Sequence, residues 1–120
     1  MNSLELRNNC RMLEINGKTY RLDFDMEALS QAEQVYHSHY GRDVNIRDII
    51  AELIQVKISA IMALTYGAMV SADNRIGWKE FSKDIFTYDT LDSVLDVVLG
   101  AVTEMMADPK DDAGAGTEKN

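Results

Sequence analysis

The chain holds one cysteine, one proline and two histidines in 120 residues. A single thiol, Cys10, makes no disulfide framework and supplies no thiolate zinc cage. Its expected place is a half-buried strand position. The histidines, His37 and His39, stand two apart and point to different sides of a helix, so they lack the spacing of a helical metal pair. The lone proline, Pro109, leaves everything before it open to helix. Positive charge is scarce as well: twelve Lys and Arg stand against twenty Asp and Glu, a net charge of −8. That balance excludes the basic footprint needed for nucleic acid or an anionic membrane. From Lys83 to Lys110 no basic residue intervenes, while Asp84, Asp89, Asp92, Asp96, Glu104 and Asp108 all fall between them. These carboxylates, Asp92 and Asp96 included, read first as a solvated face that maintains solubility; the functional alternative is a surface that attracts a basic partner.

Other absences narrow the function. The longest charge-free stretch, Ile58 to Ala72, is 15 residues, short of the roughly 20 a membrane helix needs. Met1 to Asn9 is polar and lacks the apolar core of a secretory leader, so the expected location is the cytosol. Ser71 to Phe81 has a faint calcium-loop pattern. With Glu80 as the last ligand, Met69 would occupy the first position, where a hard cation needs oxygen. No glycine-rich phosphate loop and no nucleophile–base set is visible, which argues against an enzyme and against any cofactor.

What is present begins with Ile15-Asn16-Gly17-Lys18. Asn-Gly between two alternating runs specifies a type I′ hairpin, whose central residues need positive φ. A two-residue loop fixes the register: Ile15 opposite Lys18, Leu13 opposite Tyr20, Arg11 opposite Leu22. Leu13, Ile15, Tyr20, Leu22 and Phe24 then share one face. A hairpin with one apolar face needs a second layer.

Helical patterns supply it. Asp25 is a plausible N-cap for a helix over 25–40, with Met26, Leu29, Ala32, Tyr36 and Tyr40 as its stripe and Gly41 at its C-terminal cap. Asn45, followed by Asp48, caps a second stretch over 46–72, inside which a break is allowed. Its half from Ile58 onward is apolar on every side, so it is either central to the domain or buried in an oligomer. A short helix carries Trp78, Phe81 and Ile85 on one side. Asp89 is the expected cap of a last helix over 90–107, with Leu91, Val94, Leu95, Val98, Val102 and Met105 inward. The reading is an α+β fold: a β-hairpin packed on about four helices in one domain over 10–108. A flexible lead-in over 1–9 and a polar, disordered tail over 109–120 flank it. Ile58, Met62, Met69, Met105 and Met106 are the candidate partner-binding residues, since methionine and aliphatic surfaces adapt to partners.

The run from Ile15 to Phe24, followed by Met26, Ala28, Leu29, Glu33, Gly41 and the helix from Asn45, resembles the tail assembly chaperones of long-tailed bacteriophages, prophages and gene transfer agents. The resemblance implies a non-enzymatic protein of the host-cell cytoplasm. It would bind the helical tape measure protein and assist polymerisation of tail tube subunits. Many members are made in two lengths by frameshifting, which would place a slip near Lys119. Two other readings remain open: an acidic regulator occupying a basic, nucleic-acid-binding site on another protein, and a structural tail component.

Overall fold

Asn16 and Gly17 both take positive φ, 54° and 80°, as a type I′ turn requires. The turn joins β1 (Asn9–Ile15) to β2 (Lys18–Phe24) in an antiparallel pair with Ile15 opposite Lys18, Leu13 opposite Tyr20 and Arg11 opposite Leu22. Leu13, Ile15, Tyr20, Leu22 and Phe24 are all buried on the helix side. Cys10 lies on the opposite face and is exposed, not half-buried, because none of the described elements covers that side. The computed structural model describes residues 9–106. The expected tail over 109–120, the slip site at Lys119 and all but the last residue of the lead-in fall outside the described residues. Asn9 itself belongs to β1.

Asp25 caps α1 (Met26–Val35), its carboxylate accepting from the Ala28 N–H at 2.9 Å. Met26 starts the expected stripe but is 65% exposed, since the first turn overhangs the core. The helix does not run evenly to residue 40. A π-helical turn, Tyr36–Tyr40, ends at Gly41 with φ 69°, and the Arg42 N–H donates to the Tyr36 carbonyl. That wider turn puts Tyr36 wholly inside while His37 and His39 stay at the surface.

A reciprocal capping box opens α2 (Ile46–Ile54). The Asn45 side chain accepts from Asp48 N–H at 3.0 Å, and the Asp48 carboxylate accepts from Asn45 N–H at 3.1 Å. The break allowed in the sequence falls at Gln55–Lys57. The Val56 N–H donates to Leu53 and the Lys57 N–H to Glu52, the bond pair of a Schellman motif. Val56 occupies the left-handed position, φ 60°, where glycine is the usual residue.

Then α3 (Ile58–Ser71) runs through the middle of the domain, with Ala60, Ile61, Ala63, Leu64, Thr65, Gly67, Ala68 and Met69 buried. This uncharged helix is central to the domain. It packs along α1 through small residues and is tied to the hairpin at its far end. Ser71 donates to Asp25 at 2.7 Å and Asn74 to the Arg21 carbonyl at 2.7 Å.

The short α4 (Trp78–Glu80) continues as a second π turn, Phe81–Ile85, which buries Phe81 and Ile85. A 3-10 turn, Tyr88–Thr90, leads into α5 (Leu91–Met106). Asp89 is not the cap. It is exposed in the 3-10 turn, whose N-cap is Thr87, and the Thr90 hydroxyl three residues on accepts from the Thr87 N–H at 2.9 Å as in a capping box. Finally α5 returns to β1, where Asn9 donates to the Ala101 carbonyl at 2.6 Å and Arg11 pairs with Glu104. The fold is α+β: a two-stranded hairpin on a helical layer, with five helices where about four were expected. No helix among the described residues is long and apolar enough to cross a membrane.

Candidate functional site

Two helices carry apolar stripes wider than the core requires. On α2, Ile49 and Leu53 are buried, while Ile50 is half-buried and Ile54 is 72% exposed. On α5, Val94, Val98, Ala101 and Val102 are buried, while Leu99 is half-buried and Met106 is 57% exposed. The surplus flanks face each other across a groove of about 450 Å³. Ile50, Leu53 and Ile54 line it from α2; Leu99, Val102, Thr103 and Met106 line it from α5. Thr103 is the one polar side chain in its walls among the described residues.

Next in the chain after Ile54, the link between α2 and α3 exposes two more apolar side chains. Val56 is 50% exposed and Ile58 47% exposed. An exposed β-branched residue in a left-handed conformation is disfavoured twice over, by water and by backbone sterics. Folding alone would favour glycine or asparagine at this position.

A polar node fixes the α2 wall. Glu52, one residue before Leu53, is buried and accepts from the Tyr36 phenol at 2.7 Å and from Arg42 at 2.7 Å. Ser59, in the first turn of α3, lies within 3.4 Å of the same carboxylate. The Arg42 guanidinium, and secondly the Tyr36 hydrogen bond, hold the Glu52 carboxyl below the usual range. Burial pushes the Tyr36 phenol up to about 12. The neighbouring Tyr40 phenol donates to the Ser59 carbonyl at 3.0 Å and is also raised by burial. The node therefore ties the π turn after α1 to both sides of the α2–α3 break.

A second cluster gathers around Trp78. His39 stacks on the indole at 4.6 Å, and Tyr66 meets it edge-on at 5.3 Å. The Tyr66 phenol donates to the Ile76 carbonyl at 2.9 Å. These contacts fasten the loop before α4 to α3.

The five expected contact residues separate. Met106 lines the groove, and Ile58 borders the exposed link. Met62 and Met105 are half-buried against the core. Met69 is fully buried and is core, because the face of α3 that carries it lies inside the domain. Sequence reasoning missed Ile50, Ile54, Leu99 and Thr103. The available signal was the width of the α2 stripe, where Ile46, Ile49, Ile50, Leu53 and Ile54 cover more than one helix face. Among the described residues, no three His, Cys, Asp or Glu side chains lie together as metal ligands would. No family model, curated protein or solved structure matches the chain.

Proposed function

We propose that this protein is a non-enzymatic tail assembly chaperone that holds helical segments of a phage tape measure protein in the host cytoplasm while tail tube subunits assemble. The observation that carries the reading is the groove between α2 and α5. A wall made of aliphatic and methionine side chains and open to water, with Val56 and Ile58 exposed on the link that follows Ile54, suits an amphipathic helix laid into a groove. Exposed apolar area of this kind on a chain of net charge −8 favours a binding role over a packing one. The acidic surface would keep a complex with an aggregation-prone partner in solution.

The test is co-expression with the tape measure protein of the same phage or prophage. Soluble yield of the partner should rise, and the two should elute together. Ile54→Asp and Met106→Asp should abolish the gain while leaving the thermal melt close to the parent, because both side chains are largely exposed. An unchanged yield, or no complex on gel filtration, refutes the assignment. Mass spectrometry of purified particles separates it from a structural tail component, which would remain in the virion.

A further inference from the structure

The helix faces that line the groove also carry charge outside it, of opposite sign on the two helices. On α5, Asp92 and Asp96 lie on the same helical face as Leu99, Thr103 and Met106, at spacings of three and four. Both are exposed, and neither has an ion-pair partner among the described residues. On α2, the charge on the face of Ile50 and Ile54 is Arg47, exposed and likewise unpaired among the described residues. Asp48 on that helix is engaged in the capping box, and Glu52 is engaged with Arg42. Glu104 on α5 is turned toward Arg11.

The backbone of the occupant is constrained as well. With Thr103 as the only polar side chain in the walls among the described residues, an extended segment would bury N–H and C=O groups with few partners to bond. A helix satisfies its own backbone and presents apolar side chains alone. The groove volume of about 450 Å³ accommodates several such side chains from successive turns.

We infer that the groove between α2 and α5 takes an amphipathic helix whose apolar stripe is flanked by lysine or arginine on the side facing Asp92 and Asp96. The helix lies along α5 with its basic flank over the two carboxylates, and its other flank meets Arg47. This deepens the helix-binding role and rests on it. It adds the charge chemistry that selects among helices and sets their orientation.

The experiment uses the full chain and two labelled helical peptides of about 18 residues, about five turns. They share one leucine stripe and differ only in carrying Lys or Glu along the flank, and binding is read by fluorescence anisotropy. The Lys peptide should bind about tenfold more tightly at low salt, two partly exposed ion pairs contributing a few-fold each. Added salt should narrow the gap. Asp92→Asn with Asp96→Asn should close it, and Asp92→Lys with Asp96→Lys should invert it. The charge-inverted variant thereby reports on the same site even if the neutral one folds less well. Equal affinities, no binding of either peptide, or a Lys preference that survives the Asn pair would overturn the inference. So would a dimer in sedimentation velocity that Ile54→Asp dissociates, since the occupant would then be a second copy. If the peptide preference holds but co-expression leaves the tape measure insoluble, the chaperone assignment fails and the helix chemistry stands.

Discussion

Gly67 of α3 sits directly against the backbone of Ala28 in α1. A Cβ at Gly67 would collide with the Ala28 carbonyl oxygen and lie 3.1 Å from the Ala32 nitrogen. Both obstacles are main-chain atoms of a helix, so neither can swing aside. Gly67→Ala should cost about 2 kcal/mol or more through overpacking. Gly100 is the control: a Cβ there meets only the Arg11 guanidinium, at 3.7 Å. Gly100→Ala should be neutral or stabilising by up to about 0.8 kcal/mol from helix propensity. Chemical denaturation of the two variants should move in opposite directions. Equal shifts would mean that the close approach of α1 and α3 is wrong.

Val56 should be replaceable at a gain. Its φ of 60° suits glycine, and half its surface is already in water, so truncation loses little burial. Val56→Gly should raise stability by about 1 kcal/mol. The same change should weaken helix binding by removing apolar surface beside the groove. A stability gain with unimpaired binding would assign Val56 no part in recognition.

The Glu52 node gives a pH dependence of defined sign. Its carboxyl is held low, so its contribution is complete above the ordinary glutamate value of about 4.3 and is lost as pH falls through the lower folded value. Glu52→Gln should lower the urea midpoint near neutrality, and the difference from the parent should close in acid. A constant difference across that range would show that packing, rather than charge, accounts for the loss.

At the alkaline end Tyr36 reports the same node from the other side. Burial raises its phenol from the ordinary value near 10 to about 12. A raised phenol stabilises the fold below its unfolded value, and that contribution disappears as pH climbs toward the folded one. Tyr40 and Tyr66 are also raised by burial. Tyrosinate absorbance from these three should therefore appear together with loss of helical circular dichroism. Their smooth titration in a still-folded protein would contradict the burial.

The hairpin was legible because turn chemistry and alternation are local. Asn16-Gly17 dictates the register, and the register dictates which five side chains go inward. Asp25, Asn45 and Gly41 were legible for the same reason, as caps act within a few residues. The break after Ile54 has no comparable mark, since a valine at φ 60° carries no sequence signal. The π turns at Tyr36–Tyr40 and Phe81–Ile85 were likewise silent, because they arise from burying large aromatics after an otherwise regular helix. Thr87 was passed over for Asp89, two residues away, where composition alone favoured the carboxylate. The groove was hidden in plain apolar content: Ile50 and Ile54 were counted with Ile49 and Leu53 as one stripe. Only the placement of α5 shows that they serve two surfaces.

The bond from Asn9 to Ala101 spans 92 positions of the chain, and the pair Arg11–Glu104 spans 93. The first strand is thus roofed by the last helix. During synthesis the hairpin emerges first, yet its apolar side toward α5 stays wet until that helix has cleared the ribosome. The β1–α5 seam therefore closes late, and a nascent chain stalled before Leu91 is left with it open to proteases and aggregation partners.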